Sequence, residues 1–350
     1  MIRRSFLGAA AASIAGLELT MNRSISSLLQ GLGKSDAPLS ALRGATTWIN
    51  SPPLAESDLR NKVVLVNFCT YTCINWLRQL PYVRAWAQRY QEKGLVVIGA
   101  HTPEFGFEHD LENVRRSIKA MRIDYPIAVD NDYAIWKGFS NQYWPALYLI
   151  DPKGGVRHTQ FGEGGYEETE RRIQRLLMDA DAQGIDRELV AVDPDGIEVQ
   201  ADWSNLRSPE NYLGSGRTEG FVAGRKSGSG YAMPDQLRLN QWGVVGDWTV
   251  GEQVVTLKQP SGRIVSRFHA RDLHLVLGPA KRGASVRCRV RLDGAPPGAA
   301  HGGDIDADGT GIVAEQRLYQ LIRQPGPIAD RTFEIEFLDP GVEAFAFTFG

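Results

Sequence analysis

Residues 61–81 read NKVVLVNFCTYTCINWLRQLP, and this stretch decides the fold of the first half of the chain. Residues 63–68 form an apolar run interrupted only by Asn67, which is typical of a strand covered on both faces. From Cys73 the apolar residues recur at helical spacing as far as Tyr90, and Gly94 then ends the helix. The stretch therefore predicts a strand that leads into a helix, with a cysteine in the first turn of that helix.

The size and composition of the chain indicate an ordinary globular protein with two domains. It has 350 residues, of which 43% are hydrophobic and 23% are charged, and a domain usually has about 150 residues. With 39 basic and 41 acidic residues the net charge is -2, so no long-range attraction to nucleic acid or to an anionic membrane is expected. The 3 cysteines are too few and too far apart to staple a small secreted fold.

The amino terminus, MIRRSFLGAAAASIAGL, predicts export. Arg3, Arg4, Phe6 and Leu7 resemble the RRxFL core of a twin-arginine signal. The apolar stretch that follows is too short to span a bilayer comfortably, so we predict no transmembrane domain. We interpret residues 1–36 as a signal and tether and expect a periplasmic or otherwise extracytoplasmic location, with a frayed apolar helix as the alternative.

Two further regions follow the tether. Residues 37–184 alternate strand-like and helix-like segments, which predicts an α/β domain with a mixed sheet. The predicted elements are strands 63–68, 95–100, 126–129, 147–150 and 156–161 and helices 73–90, 111–121 and 167–178. Residues 185–350 show only short alternating strands between turns, which predicts a β-sandwich. The strands predicted there include 253–257, 264–268, 273–277, 286–292 and 333–337.

From about residue 40 to its end, the chain resembles the soluble part of DipZ-type proteins, which are thioredoxin-like members of the TlpA and redoxin group. The resemblance is carried by VLVNFCTYTCINWLRQLPYVRAW, VVIGAHTPEFGFEHDLENV and YPIAVDNDYAIWKGFSNQYWPALYLID, and later by SPENYLGSGR, LNQWGVVGDWTVG, RFHARDLHLVLGP and DRTFEIEFLDPGVEAFAFTFG. It implies a thioredoxin fold followed by a jelly-roll-like β-sandwich of the carbohydrate-binding-module type. The membrane-spanning half of that family is absent from this sequence.

The resemblance also implies an activity and assigns residues to it. Cys73 matches the nucleophilic cysteine of a thiol-disulfide oxidoreductase, and Pro81 matches the proline that kinks its helix. Pro145, preceded by Trp144, matches the proline that is cis opposite the nucleophile. The strand edge at this dipeptide is suited to pairing with a substrate peptide.

Three positions depart from the family pattern. Trp76 occupies the place of the resolving cysteine, Asn67 replaces a buried acid, and Cys69 stands where many relatives have an aromatic residue. Without a neighbouring thiol, a mixed disulfide at Cys73 must be cleared by an external thiol or by a second cysteine of the substrate.

Physical chemistry supports Cys73 as the nucleophile. A helix N-terminus stabilises a thiolate, so we expect a lowered thiol pKa and an exposed sulfur. Cys69 is a candidate resolving thiol, although a cysteine that ends an apolar strand is more often packed in a core. Cys288, inside RVRCRVRL, is interpreted as core packing.

Other residues near Cys73 are supporting candidates. Thr70 has the Thr-x-x-Cys spacing that peroxiredoxins use, which leaves a one-cysteine peroxidase as an alternative. His101 and Glu104 follow the strand that should lie beside the one ending at Cys69, so they are placed to tune Cys73 or to contact substrate. A second alternative is a redox-inactive binding module in which Trp76 fills the former active-site groove and covers the thiol.

Two features of the second half suggest ligands. The spacing of an EF-hand calcium loop is met by Asp304, Asp306, Asp308 and Glu315, although β-like flanks favour a polar hairpin there. Trp203, Tyr212, Trp242 and Trp248 are candidates for a sugar-stacking surface on cell-wall carbohydrate, or for a sandwich core. The main partners expected are protein or small-molecule disulfides and thiols, and we predict no cofactor.

Overall fold

The computed structural model describes residues 38–227, 230–234 and 236–350. The signal and tether predicted over residues 1–36 therefore lie outside the described residues. Among the helices that are described, none is both long enough and apolar enough to cross a membrane.

The first domain is a six-stranded mixed sheet in the order β1-β4-β3-β2-β5-β6. Strands β2, β3 and β4 run parallel, and the remaining neighbours pair antiparallel. The strands are β1 (Thr47–Ile49), β2 (Val63–Cys69), β3 (Leu95–His101), β4 (Ile127–Val129), β5 (Ala146–Ile150) and β6 (Val156–Phe161). The helices are α1 (Ile74–Tyr90), α2 (Leu111–Ala120), α3 (Ala134–Gly138) and α4 (Tyr166–Asp179).

Helices cover both faces of this sheet, which explains why every residue of β2 is buried. Residues of α1, α2 and α4 pack on one face, whereas α3 and the 3-10 helix Pro38–Gly44 pack on the other. The elements predicted for this half are confirmed to within two residues. Six short elements were missed, because each is too short to show a periodic pattern: β1, α3 and the 3-10 helices Pro38–Gly44, Glu56–Leu59, Gln91–Lys93 and Gly106–His109.

The second half contains two antiparallel sheets that share one core, which confirms the predicted β-rich domain. Their orders are β10-β13-β18-β15-β16 and β11-β12-β19-β14-β17, with β7 beside β19. The strands of the first sheet are β10 (Trp242–Val245), β13 (Gly262–Phe268), β15 (Val286–Leu292), β16 (Thr310–Val313) and β18 (Arg331–Phe337). Those of the second are β7 (Asn211–Tyr212), β11 (Trp248–Val250), β12 (Val255–Leu257), β14 (Asp272–Pro279), β17 (Arg317–Arg323) and β19 (Val342–Phe349). A separate two-stranded piece pairs β8 (Lys226–Ser227) with β9 (Gly230–Tyr231).

The two domains share an apolar interface. Val276, Leu318 and Phe345 of the sandwich belong to the same buried cluster as Trp76 and the rest of the inner face of α1. Residues 185–198, which join the domains, lie along α1 and contribute partly buried apolar side chains to that cluster. The start of α1, where Cys73 lies, is therefore close to both domains.

Candidate active site

Cys73 lies in the turn that connects β2 to α1. Its backbone N–H donates to the carbonyl oxygen of Thr70 at 3.2 Å, and its carbonyl accepts the first helical hydrogen bond, from Leu77, at 3.0 Å. Cys73 is thus the N-cap residue of α1, and its side chain is half-buried. This is the position that the sequence predicted for the reactive thiol.

The electrostatic surroundings of Cys73 are opposite to the expectation. Burial, followed by the negative charges of Glu210 and Glu104, raises the pKa of the Cys73 thiol well above its ordinary value. The backbone N–H groups of Trp76 and Asn75 favour the thiolate, but their effect is smaller. The predicted lowering of the thiol pKa is therefore wrong. The helix N-terminus acts as expected, but burial of the thiol and, after it, the charges of Glu210 and Glu104 outweigh it.

A neutral polar network lies behind Cys73. The indole N–H of Trp76 donates to Asn67 Oδ1 at 2.8 Å, and Asn67 Nδ2 donates to Gln79 Oε1 at 2.7 Å. All three side chains are fully buried. Trp76 therefore packs in the core, and the expectation that it fills the groove and covers the thiol stays a prediction. The positions of a resolving thiol and a buried acid are taken by groups that neither attack sulfur nor titrate.

The Trp144–Pro145 dipeptide lies at the same end of the sheet as Cys73. Its peptide bond is cis. Residue 146, the first of β5, pairs with Phe68 of β2, which puts Pro145 beside the last residue of β2. The Trp144 indole donates to the carbonyl of Thr102 at 3.1 Å and packs against Trp136, with 4.2 Å between the rings. The dipeptide is thus held next to the turn that carries the thiol.

His101 has the register that the sequence predicted, since it is paired with Cys69 across β2 and β3. Its ring is buried and stacks on Tyr71, with the ring centroids 5.7 Å apart. Burial lowers the pKa of His101 to about 4, so the ring is neutral at physiological pH. Its role in tuning the Cys73 thiol stays a prediction.

Sequence reasoning missed Glu108, the buried acid nearest to the active-site turn. Its carboxylate accepts hydrogen bonds from Thr72 Oγ1 at 2.6 Å and from the backbone N–H groups of Glu104 and Phe105 at 2.6 and 2.9 Å. Burial raises the pKa of Glu108 to about 7, and the Thr70 and Thr72 hydroxyls oppose that rise. The Thr70 hydroxyl is thus beside Glu108. One signal in the sequence could have identified Glu108: it is an acid three residues after Phe105, and this spacing allows it to cap a short 3-10 helix.

Glu104 turns toward the second domain. Its carboxylate accepts a hydrogen bond from the Tyr212 hydroxyl and forms an ion pair with Arg217 at 3.2 Å. Nothing local in the sequence identifies Glu210 and Arg217, since they follow Glu104 by more than 100 residues. They belong to SPENYLGSGR, one of the stretches that carries the family resemblance.

The 3 cysteines, all within the described residues, are free thiols. Cys69 is 1% exposed, and burial strongly raises its pKa. Its sulfur lies in the core close to Gly99 of β3, so its resolving role stays a prediction. Cys288 is buried in β15, which confirms its interpretation as a core residue.

The calcium hypothesis is wrong. Among the residues that the structure describes, acidic, histidine and cysteine side chains do not gather in any group able to hold a metal ion. Asp304 is paired with Arg317 and accepts from the backbone of Gln320, and Glu315 is paired with Arg116 of the first domain. The segment is a β-type loop whose carboxylates stabilise it and the interface.

The four aromatic residues considered for sugar stacking do not form one surface. Trp242 and Trp248 are buried in the sandwich core, whereas Trp203 is 60% exposed. Tyr212 lies in the domain interface under Arg217. The prediction of a shared stacking surface is therefore wrong, and among these four residues only Trp203 is largely exposed.

Comparison with known proteins adds to this geometry. The profile of the AhpC/TSA family matches residues 47–159, and the profile described as thioredoxin like C-terminal domain matches residues 208–350. Protein DipZ of Mycobacterium tuberculosis is 34% identical over 347 residues, which are 97% of this chain and 47% of DipZ. The chain thus spans about half the length of that relative.

Two shorter relatives align with the first domain. Thiol-disulfide oxidoreductase YkuV of Bacillus subtilis is 30% identical over 144 residues, which are 41% of this chain and 97% of YkuV. Thiol-disulfide oxidoreductase ResA of Bacillus cereus is 28% identical over 130 residues, which are 37% of this chain and 72% of ResA.

The mixed sheet, with a cysteine at the start of α1, defines a thioredoxin-like protein. The chain belongs to the thioredoxin-like family and is a homologue of Protein DipZ, with the thioredoxin like C-terminal domain as its second half.

Proposed function

We propose that this chain is a thiol-disulfide oxidoreductase that acts through Cys73 as its single nucleophile. The observation that carries the proposal is the half-buried Cys73 thiol at the start of α1, at the sheet edge where Trp144–Pro145 also lies. The names of YkuV and ResA, both thiol-disulfide oxidoreductases, support the class of reaction.

The reaction is an exchange that needs no further oxidant. The Cys73 thiolate attacks a substrate disulfide R–S–S–R′, forming Cys73–S–S–R and releasing R′–S⁻, which takes up a proton. An external thiol R″–SH then attacks the substrate sulfur of the mixed disulfide, which gives R–S–S–R″ and returns Cys73 to the thiol. Since Trp76 and Asn67 lack sulfur and a titrating group, release depends on that external thiol or on a second thiol of the substrate.

The substrates that fit this chemistry are protein or small-molecule disulfides docked at the Trp144–Pro145 edge. We further propose that the reaction takes place outside the cytoplasm, because the first residues resemble a twin-arginine signal and because disulfides persist in oxidising compartments.

The test is to trap the mixed disulfide by mass spectrometry after incubation with oxidised glutathione. Cys73→Ser is expected to abolish both the adduct and the reduction of a reporter disulfide by an external thiol, at least about 100-fold, because the nucleophile is lost. Cys288→Ser removes a buried thiol in the other domain and is expected to keep both. Cys69→Ala tests the internal route of release: without external thiol, the Cys73 adduct is expected to persist equally in wild type and in this variant, whereas slower loss in Cys69→Ala than in wild type would make Cys69 the resolving group.

A second candidate function is a binding module without redox activity. The raised pKa of Cys73 is the observation that favours it, because a protonated thiol reacts slowly with disulfides. This candidate predicts that wild-type protein forms no glutathione adduct at Cys73 at any pH up to 9 while the fold stays intact, and that result would remove the oxidoreductase proposal.

A further inference from the structure

The loop that follows β3 contacts both the active-site turn and the second domain. Residues 104–108, here named the bridging loop, carry Glu108, and its Oε1 accepts a hydrogen bond from the Thr72 hydroxyl at 2.6 Å. Thr72 is the residue before Cys73, and the side chains of Thr72 and Glu108 are both buried. A hydrogen bond to a charged group inside a protein is among the stronger ones. The position of the residue before the thiol therefore depends on where Glu108 is held.

The bridging loop also holds Glu108 from within. The second carboxylate oxygen, Oε2, accepts from the backbone N–H groups of Glu104 and Phe105 at 2.6 and 2.9 Å. Phe107 of the same loop packs against Tyr71 of the active-site turn, with 6.1 Å between the ring centroids. The loop thus contacts the turn at a second place, and a shift of the loop would be transmitted to the turn.

Aromatic contacts attach the bridging loop to the second domain. The ring of Phe345, in β19, lies 5.4 Å from that of Phe105 and 4.7 Å from that of Phe107, measured between centroids. Phe345 and Phe105 are buried. Aromatic pairs at such distances are favourable beyond the area that they bury. Packing of the second domain therefore helps to fix the position of the loop.

Polar contacts connect the bridging loop to the second domain as well. The Tyr212 hydroxyl donates to the Glu104 carboxylate, and Arg217 forms an ion pair with that carboxylate at 3.2 Å. The backbone N–H of Glu104 donates in turn to Glu108, which accepts from Thr72. Consecutive hydrogen bonds thus lead from the second domain to the residue that precedes the thiol.

We propose that Glu108 and Thr72 are positioning residues of the active site, and that the second domain fixes the active-site turn through the bridging loop. This inference rests on the proposed function in taking Cys73 as the reacting thiol. Disulfide exchange gives such a support a chemical reason, because the attacking sulfur must lie in line with the S–S bond of the docked substrate. The turn must therefore hold Cys73 at a set distance from the Trp144–Pro145 edge, where we place the substrate.

The first test is hydrogen–deuterium exchange in the full chain, followed by mass spectrometry of peptides that cover residues 70–77. The amides of Cys73 and Leu77 report on the turn, because they form the hydrogen bonds at the start of α1. Tyr212→Phe removes only a hydroxyl group, in the other domain, and is expected to speed the exchange of these amides roughly threefold or more.

Tyr319→Phe is the matched control for Tyr212→Phe. Tyr319 is a buried tyrosine of the second domain, and its hydroxyl donates to the Glu315 carbonyl at 2.8 Å. This variant also loses a hydrogen bond of the second domain, so it controls for a general loss of stability, and it is expected to leave the exchange of the turn unchanged. If Tyr212→Phe and Tyr319→Phe give the same exchange at residues 70–77, the inference is overturned.

Thr72 allows a closer test of the hydrogen bonds themselves. Thr72→Val keeps the shape of the side chain without its hydroxyl and is expected to speed exchange of the turn by about tenfold, because a buried hydrogen bond to a carboxylate is lost. Thr72→Ser keeps the hydroxyl and is expected to retain most of the protection. In the double variant, Tyr212→Phe is expected to add little to Thr72→Val, since the connection is already broken. Effects that multiply in full would contradict a connection through Glu108.

The second test follows the reaction of Cys73. Iodoacetamide and oxidised glutathione both react with the thiolate, so the ratio of the two rates at one pH largely cancels the fraction of thiolate. The exchange with glutathione also requires alignment with a disulfide. Thr72→Val is therefore expected to lower the ratio of exchange to alkylation by about tenfold, whereas Thr72→Ser is expected to keep it. An unchanged ratio in Thr72→Val would overturn the positioning role.

The two tests separate this inference from the proposed function. If wild-type protein exchanges no disulfide, the proposed function fails, and the hydrogen exchange of residues 70–77 still decides whether the second domain fixes the turn. If wild type exchanges disulfides but Tyr212→Phe behaves like Tyr319→Phe, the proposed function stands and the inference fails.

Discussion

The polar groups behind Cys73 differ from those in front of it in charge, in burial and in origin. Behind it, Trp76 and Asn67 are neutral and fully buried, and they come from adjoining elements of one domain. In front of it, Glu104 and Arg217 are charged, retain contact with solvent and come from two domains. The comparison indicates that the groups behind the thiol contribute mainly to stability, whereas in front of it Glu104 opposes ionisation of the thiol, after the larger effect of burial.

The largest effect is expected from placing a thiol into the network behind Cys73. Trp76→Cys restores the two-cysteine spacing, but it removes an indole that is fully buried and donates to Asn67 at 2.8 Å. We expect a loss of about 3–5 kcal/mol in the free energy of unfolding, because a buried tryptophan leaves a cavity and Asn67 loses its donor. Urea unfolding measures this loss.

Trp203→Ala is the matched control, because this indole is 60% exposed, and we expect it to change the free energy of unfolding by no more than about 0.5 kcal/mol. If Trp76→Cys were as stable as this control, the conclusion that the groups behind Cys73 contribute mainly to stability would be contradicted.

The next largest effect is expected on the pH dependence of stability, and it concerns Glu108, which is buried beside the active-site turn. Its pKa is raised from 4.5 to about 7, so between these pH values the folded protein binds more protons than the unfolded chain, and stability falls as the pH rises. His101 acts in the opposite direction, because its pKa is lowered from 6.5 to about 4 and stability rises with pH between those values. The two contributions offset each other over most of their range.

Glu108→Gln should therefore expose the contribution of His101. We expect the free energy of unfolding of this variant to rise more steeply with pH between 4.5 and 6.5 than that of wild type, by up to about 3 kcal/mol over the titration of the carboxyl group. Urea titrations at a series of pH values measure the slope. Glu112→Gln, on the exposed side of α2, should keep the wild-type slope, and equal slopes in all three proteins would contradict the assignment.

The smallest effect on stability is expected from substituting Arg217, which lies in front of Cys73. Arg217 is 51% exposed in its ion pair with Glu104, and exposed pairs contribute about 0–1 kcal/mol. Arg217→Gln should therefore lower the free energy of unfolding by less than about 1 kcal/mol. Arg171→Gln breaks an exposed pair on α4 and serves as the control. A loss in the free energy of unfolding that is several times larger for Arg217→Gln than for Arg171→Gln would mean that residues 210–217 also contribute strongly to stability.

The sequence predicted well what depends on local periodicity. The run at residues 63–68 and the helical spacing after Cys73 placed β2, α1 and the thiol between them, and the register of Cys69 with His101 followed from the parallel sheet. Strands of the second domain such as β15 were recognised in the same way, because alternating burial leaves a period of two in the sequence.

The parts that escaped prediction depend on contacts between distant residues. The acidity of the Cys73 thiol was assigned from the helix terminus alone, whereas the burial of the thiol and the charges of Glu210 and Glu104 that raise its pKa arise only in the folded chain. The EF-hand spacing failed for the same reason, since Glu315 is engaged by Arg116 of the other domain. Spacing within a segment does not show which partners the rest of the chain brings to its side chains.

The segment that joins the domains has a mechanical consequence. It is tied to α1 by the pair of Arg84 with Glu198 at 2.7 Å, by the contact of Arg89 with Asp186, and beyond the end of the helix by Lys93 on the Gly184 carbonyl at 2.6 Å. Part of a force that pulls the second domain away from the first is therefore transmitted to α1, the helix that begins at the reactive cysteine. Tension between the domains and chemistry at the thiol act on the same structural element.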